Sequence, residues 1–310
     1  MVAITPAGTH EGRLTRTVRA YVALMKPRII ELLLVTTLPA MVLAAGGLPS
    51  LRLTAATLVG GTLAAGSANA LNCFIDRDID ALMRRTAMRP LAVGGDERAV
   101  SPRSALVFGI MLGLVSTALL WVTTNALTTW LTVAAIVLYV VGYSLGLKRR
   151  TSQNIVWGGT AGCMPVLIGW AAVTDALSWS AWLLFLVVFF WTPPHFWALA
   201  MRFREDYAAA GVPMLPVVAS PRRVTAHMLA HSWAMVGASL LLVPVARMGI
   251  LYAVSATLLG ALFLREVFAL RRRVLADADP RSMRLFHWSI SYLSLLSLAV
   301  IVDVVAHVPL

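Results

Sequence analysis

The amino-acid sequence predicts an all-α, polytopic membrane protein with about nine transmembrane helices. Of its 310 residues, 59% are hydrophobic and only 13% are charged, whereas a soluble domain is about 45–50% apolar and about 25% charged. The apolar residues gather in nine runs that are long enough to cross a bilayer as helices. Nearly all basic residues fall in every second connection between these runs, which is typical of a multi-pass membrane protein.

The nine runs approach the roughly 20 apolar residues that cross the hydrocarbon core as an α-helix. They lie at approximately 29–47, 54–72, 104–122, 127–147, 155–174, 179–200, 226–245, 248–268 and 286–306. No connection between them is long enough for a soluble domain. We therefore predict a single transmembrane domain over residues 26–310.

The net charge of +12 is distributed unevenly among the connections. Of the 26 lysines and arginines, only Arg52 and Arg247 fall on the side that we assign to the exterior. Because connections rich in lysine and arginine stay in the cytoplasm, we predict a cytoplasmic N-terminus and an outer C-terminus, from about residue 307. The loops account for the basic residues, so we expect no nucleic-acid partner.

The first 25 residues are polar and precede the first predicted span. They contain neither an apolar h-region nor an A-x-A cleavage site, so we predict no cleavable signal peptide. Their arginines are accompanied by Glu11, which fits a mitochondrial presequence poorly. We expect a disordered cytoplasmic tail over residues 1–25 and a protein of the cell membrane rather than of the mitochondrial inner membrane.

A polar stripe begins where the second span ends. Asn72, Asp76 and Asp80 follow one another at intervals of four residues, so a continuing helix places them on one face, about 6 Å apart along the axis. Two ionised carboxylates at that distance repel by roughly 2–3 kcal/mol at an effective dielectric constant near 20. A Mg²⁺ ion would offset this repulsion. We predict a metal site here and expect Asp78 on the opposite side of the helix.

Basic residues follow the stripe closely. Arg85 and Arg89 can donate forked hydrogen bonds to phosphate oxygens, and Lys148 lies in a connection on the same side of the membrane. Carboxylates for a metal beside cations for phosphate predict a diphosphate site, and the adjoining span offers an apolar groove for an isoprenyl tail. For any single arginine the alternative is a loop charge that only fixes membrane topology.

A second polar region lies at the end of the sixth span. Pro193 and Pro194 are expected to kink this helix, and His195 follows them directly. An intramembrane histidine is a candidate haem ligand or proton carrier; the alternative is a histidine bonded to a carbonyl that the prolines leave free. Asp206 lies just past the span and could complete the metal shell.

These motifs resemble known signatures. The pattern Asn72-x-x-x-Asp76-x-x-x-Asp80, followed by Arg85-Thr-x-x-Arg89-Pro-Leu, resembles the first signature of the intramembrane, UbiA-type prenyltransferases. Within that superfamily, three further stretches, at 147–174, 192–218 and 285–303, are similar to haem O synthases, and the similarity runs from about residue 25 to residue 303.

The resemblance implies a helical bundle around a central cavity that opens to the cytoplasmic side. It implies transfer of a farnesyl group from farnesyl diphosphate to a vinyl group of haem b, with addition of water, to give haem O and diphosphate. Asn72, Asp76, Asp80 and Asp206 would bind Mg²⁺ as catalytic residues. Arg85, Arg89 and Lys148 would bind the diphosphate, and His195 would contact the haem. Other expected partners are the lipid bilayer, haem A synthase and the assembly of terminal haem-copper oxidases.

One departure concerns the second metal motif. Many members of the superfamily carry a second D-x-x-x-D pair, but here the sequence is Arg202-Phe-Arg-Glu-Asp206, in which only Asp206 matches. The number of Mg²⁺ ions, one or two, therefore stays open.

Two other functions remain open from the sequence. The same metal and phosphate groups would serve prenylation of a quinone ring or a chlorophyll-like acceptor. A transporter or channel would instead place its carboxylates near the bilayer midplane, on broken helices. The aspartates here gather at the predicted cytoplasmic ends of two spans, which favours phosphate chemistry.

Overall fold

The computed structural model describes residues 12–92 and 100–306, and every regular element in these two ranges is a helix. Nine of the described helices are long and apolar enough to span a bilayer, which confirms the predicted fold class. The spans are α2 (Pro27–Ala45), α3 (Leu51–Ile75), α5 (Pro102–Thr123), α6 (Ala126–Val137, continued as a π-helix over Leu138–Leu147), α7 (Asn154–Thr174), α8 (Trp179–Arg202), α11 (Pro221–Ala246), α12 (Ile250–Leu275) and α13 (Ser282–Ala306).

Shorter helices occupy the connections. They are α1 (Arg13–Met25), α4 (Arg77–Leu82), α9 (Arg204–Ala209) and α10 (Leu215–Val218). Side chains of α4, α9 and the segments beside them form a small apolar cluster that includes Ile79, Met83, Tyr207 and Met214. This cluster fixes the connection after α3 against the connection after α8, and it thereby brings the two predicted polar regions together.

The starts of the spans follow from local sequence. At Ser101-Pro102 and Ser220-Pro221, the serine side chain accepts a hydrogen bond from the first turn and the proline occupies the first helical position. Helix α12 begins differently, because Asp303 on α13 accepts hydrogen bonds from the backbone nitrogens of Gly249 (2.7 Å) and Tyr252 (2.9 Å). A buried carboxylate of a neighbouring span thus caps this helix.

The spans pack closely where small residues meet. Helix α2 packs on α7, and α8 packs on α7, α11 and α13. At Gly169 of α7, an added Cβ would lie 2.7 Å from the carbonyl oxygen of Thr37 on α2. Close backbone approach through small residues is the usual way in which membrane helices associate.

Residues 13–25 differ from the expected disordered tail, since they form helix α1. Ala20 and Leu24 are buried in a cluster with Ala70 and Cys73 of α3. Burial of one face on the bundle supplies the stabilisation that a short helix lacks in water. The rest of the predicted tail, residues 1–11, and the predicted C-terminal end from residue 307 lie outside the described residues.

Candidate active site

The predicted polar stripe is buried at the end of α3. Backbone hydrogen bonds join Asp76 N to Asn72 O (2.9 Å) and Asp80 N to Asp76 O (2.8 Å), so the helical repeat continues into α4. The exposed fractions of Asn72, Asp76 and Asp80 are 3%, 0% and 2%. Asp78 differs because its side chain is 60% exposed. The chain therefore buries the three residues that share one helical face and leaves the fourth at the surface.

The two buried carboxylates of the stripe, Asp76 and Asp80, each pair with a basic side chain from outside the stripe. Lys148 donates a hydrogen bond to Asp76. A guanidinium nitrogen of Arg89 lies 2.8 and 2.7 Å from the two oxygens of Asp80. Buried charges are stable only when they are paired in this way. The predicted metal ligands and the predicted phosphate ligands are thus direct partners.

The amide of Asn72 has one defined orientation. Its Oδ1 accepts from Lys26 Nζ at 2.6 Å, and its Nδ2 donates to Asp76 Oδ2 at 2.6 Å and to Ser144 Oγ at 3.0 Å. An ammonium can only donate and a carboxylate can only accept, which fixes the amide. The oxygen that we predicted for the metal therefore contacts Lys26 in this arrangement.

Lys26 is a site residue that the sequence analysis missed. It lies between α1 and α2 with a left-handed backbone (φ 55°), which turns the chain from one helix into the next. Burial lowers its pKa to about 8. Together with Arg28 and Arg89, it lines a cleft of about 380 Å³ beside the stripe. Its partner Asn72 is distant in sequence, so no local pattern marks it.

The π-helical end of α6 supplies the other side of the site. Ser144 accepts from Asn72 and donates to the carbonyl of Tyr139 (2.9 Å), and the last turn ends with Lys148 N bonded to Tyr143 O (2.8 Å). The wider turn of a π-helix is frequent at functional sites. Here Ser144 and Lys148 both reach the stripe from the same helix end.

Arg149 lies at the outer edge of the site and contacts Asp78 and Asp76. It donates to both oxygens of Asp78 at 2.7 Å, and this bond lowers the pKa of Asp78 to about 2. It also lies 3.8 Å from Asp76. A second cleft of about 410 Å³, lined by Arg77, Asp78, Ser144 and Arg149 among others, opens here. Arg149 thus links the exposed Asp78 to the buried Asp76.

The connection after α8 joins the site through Asp206, which is 6% exposed. Its oxygens accept from Arg84 Nε (3.2 Å) and from the backbone nitrogen of Arg85 (3.4 Å), and the Arg85 side chain donates to Tyr207 Oη (3.3 Å). The structure thus brings Asp206 to the segment that follows the stripe.

The described residues do not include a ready-made metal cluster, since no three His, Cys, Asp or Glu side chains gather closely enough to hold an ion. Asp76 Oδ1 is nevertheless buried without a hydrogen bond. A buried carboxylate oxygen without a donor costs free energy unless it gains a cation or a donor. A guanidinium nitrogen of Arg149 lies 3.8 Å from this oxygen, beyond hydrogen-bond distance.

His195 lies in a different environment. Its ring stacks between Trp191 (centroids 4.2 Å apart) and Phe286 (4.5 Å), and its Nδ1 lies 2.6 Å from Ser289 Oγ on α13. Ser289 Oγ also lies 2.6 Å from the carbonyl oxygen of Phe286. The partner is a hydroxyl, not the freed carbonyl of the alternative prediction.

Comparison with known proteins identifies the family of this chain. Residues 33–290 match the sequence pattern of the UbiA prenyltransferase family. The chain belongs to the UbiA prenyltransferase family.

Relatives of this UbiA-family chain have a common name. A protein of Frankia alni named protoheme IX farnesyltransferase is 59% identical over 93% of this chain and 98% of its own length. One of Streptomyces avermitilis with the same name is 57% identical over 92% and 93%.

Solved structures of UbiA-type proteins share the fold. The apo structure of a UbiA homologue from Aeropyrum pernix K1 has a TM-score of 0.70 at 22% identity, covering 88% of this chain and 98% of that one. A homologue from Archaeoglobus fulgidus bound to GPP and Mg²⁺ has a TM-score of 0.62 at 17% identity, covering 91% and 99%. This UbiA-family chain is thus a multi-pass membrane protein with the fold of those homologues.

Proposed function

We propose that this chain transfers a farnesyl group from farnesyl diphosphate to a vinyl group of haem b, with addition of water, giving haem O and diphosphate. The product would serve the assembly of terminal haem-copper oxidases. The name of the two relatives at 59% and 57% identity supports this reaction. The observation that carries the proposal is the buried stripe of Asn72, Asp76 and Asp80, bonded to basic side chains from three other segments.

The residues of the stripe fit a divalent metal. Asp76 offers a buried oxygen without a donor, and Asp80 lies one turn further on. We assign both to one or two Mg²⁺ ions, with Asn72 and Asp206 as further oxygen ligands, and the Archaeoglobus fulgidus homologue bound to GPP and Mg²⁺ supports metal use. When bound, Mg²⁺ would stabilise the negative charge that develops on the leaving diphosphate.

The basic residues would bind the diphosphate directly. Lys148 and Arg89, which pair with the carboxylates in this structure, exchange a carboxylate oxygen for a phosphate oxygen in the loaded site. We add Lys26, which is bonded to Asn72, and Arg85, which contacts Asp206 and Tyr207. Asp76 and Asp80 are thereby each paired with a cation before the diphosphate binds.

The reaction depends mainly on the positioning of the two substrates and needs little covalent catalysis by the protein. The allylic C–O bond breaks, and a C–C bond forms to the haem vinyl group. Water then adds to the resulting cation as hydroxyl and releases a proton. Positioned cations would favour charge development on the leaving oxygen. We assign His195 to the haem side, because Nδ1 is bonded to Ser289 and Nε2 is the ring nitrogen left for the haem.

We further propose the cell membrane as the location, with the N-terminus cytoplasmic and the C-terminus outside. The distribution of the 26 basic residues supports this orientation. Haem O would leave the site toward haem A synthase or directly toward oxidase assembly.

The test is incubation of the purified protein in lipid vesicles with haem b and farnesyl diphosphate, with and without Mg²⁺. We expect a product with the mass of haem O that disappears when the metal is chelated. A prenylated 4-hydroxybenzoate, with haem b untouched, would overturn the proposed acceptor. Ion flux without any product would overturn the reaction itself.

A further inference from the structure

Helix α1 has one face packed against the bundle. Ala20 and Leu24 are buried at 8% and 0% exposure, and Asn69 of α3 donates to the carbonyl of Met25 at 2.8 Å. The ring of Tyr21 lies 4.8 Å from that of Phe108 at the start of α5. The helix therefore sits across the ends of two spans.

A second face of α1 is apolar and exposed. Leu14, Val18 and Val22 are 78%, 54% and 48% exposed. At 100° per residue, their spacing of four places them within an arc of about 80°. An unbroken apolar stripe of this kind is unfavourable in contact with water.

The third face of α1 is polar. Arg16, Arg19 and Ala23 are exposed, and they fall within an arc of about 60° that lies between the apolar stripe and the packed face. The order around the helix is therefore apolar stripe, polar face, packed face.

The position of α1 along the chain indicates how deep the helix lies relative to the bilayer. The helix ends at Met25, and the first span begins at Pro27, so Lys26 alone separates a surface helix from a membrane helix. The contacts with the end of α3 and the start of α5 place α1 at the level where spans leave the bilayer. A polar face, an apolar face and this depth are the features of a helix that lies in the membrane interface.

We propose that α1 is an interfacial helix whose stripe of Leu14, Val18 and Val22 inserts at the boundary between headgroups and acyl chains of the bilayer that the nine spans cross. The polar face then meets the headgroups and water. We assign lipid as the molecule that covers the apolar stripe, because α1 packs on the ends of α3 and α5 through its buried face and the chain enters the bilayer one residue after α1. This inference is independent of the reaction proposed above.

The test measures the surroundings of each face in the full-length protein. Cys73 and Cys163 are replaced by alanine, and single cysteines at positions 14, 18 and 22, or at 16 and 23, carry a nitroxide spin label. The protein is reconstituted in vesicles of phosphatidylethanolamine and phosphatidylglycerol. Oxygen, which concentrates in lipid, and a water-soluble nickel chelate serve as relaxation agents.

We expect oxygen to relax the labels at 14, 18 and 22 more strongly than the nickel chelate does, and the reverse order at 16 and 23. Equal preference for the nickel chelate at all five positions would place α1 in water and overturn the proposal. Labels at 14, 18 and 22 that neither agent reaches would show a protein occupant, such as a second copy or residues 1–11, and would overturn it as well. None of these outcomes depends on catalytic activity.

Discussion

At the scale of single residues, the site is a set of opposite charges buried in contact. Local spacing predicted the stripe of Asn72, Asp76 and Asp80, because a helix repeats every four residues or so. Spacing could not predict the partners of the stripe. Lys26 and Ser144 lie 46 and 72 residues from Asn72, and such pairings follow only from the packing of helices.

Asp76 is the residue on which turnover should depend most. The Asp76→Asn variant keeps the size of the side chain but removes the charge that pairs with Lys148 and would bind the metal. We expect haem O production to fall by about 10²–10³-fold, measured by chromatography and mass spectrometry.

A control separates this loss from unfolding. Removing one partner of a buried pair leaves the other charge uncompensated, whereas removing both avoids that cost. The double variant Asp76→Asn/Lys148→Met should therefore recover the wild-type unfolding temperature and remain inactive. Wild-type yield from Asp76→Asn would contradict the metal assignment.

Replacement of Lys26 should weaken the binding of farnesyl diphosphate but not the binding of haem b. In Lys26→Gln the amide can still donate to Asn72, but the positive charge beside the proposed diphosphate is lost. We expect KM for farnesyl diphosphate to rise about 10–100-fold, with KM for haem b unchanged in steady-state assays.

Two further variants test whether the rise in KM comes from the lost charge at position 26. Lys26→Arg should restore most of the affinity for farnesyl diphosphate. Arg28→Gln changes the same cleft, but Arg28 has no described bond to the stripe, so its KM should stay within about fivefold of wild type. Equal losses in Arg28→Gln and Lys26→Gln would show that positive charge anywhere in the cleft matters and that position 26 has no special role.

At the scale of helices, composition and length were sufficient to predict the nine spans. In lipid, each span must form its backbone hydrogen bonds internally, and a helix does so. They were not sufficient for α1, whose stability comes from Ala20 and Leu24 packing on α3. The π-helix at the end of α6 was also missed. Its apolar sequence, Leu138–Leu147, carries no signal that distinguishes a π-turn from an α-turn.

Helix packing can be tested at two glycines of α7. Gly169→Ala places a methyl group 2.7 Å from the backbone oxygen of Thr37, which cannot move without shifting α2. We expect a loss of about 1–3 kcal/mol in the free energy of unfolding. At Gly162 an added Cβ meets nothing within 4 Å, so Gly162→Ala should be neutral or gain up to about 1 kcal/mol.

Denaturant unfolding in one detergent compares the two variants directly. Similar stabilities for both would show that α2 and α7 do not approach as closely as the structure has them.

At the scale of the whole molecule, the connections after α3, α6 and α8 converge on one corner of the bundle. The sequence placed all three on one side of the membrane through their basic residues, and the structure brings Asp76, Lys148 and Asp206 into adjoining contacts there. The convergence itself was not predictable, because it depends on apolar packing such as the cluster that contains Ile79 and Tyr207.

We propose that this corner of the bundle is a metal-dependent diphosphate site. The most direct measurement is calorimetric titration of the reconstituted protein with a non-hydrolysable farnesyl diphosphate analogue, with Mg²⁺ and with a chelator. We predict at least about tenfold tighter binding with Mg²⁺ in the wild type, and no effect of Mg²⁺ in Asp76→Asn. Binding of equal strength in all four titrations would contradict the account.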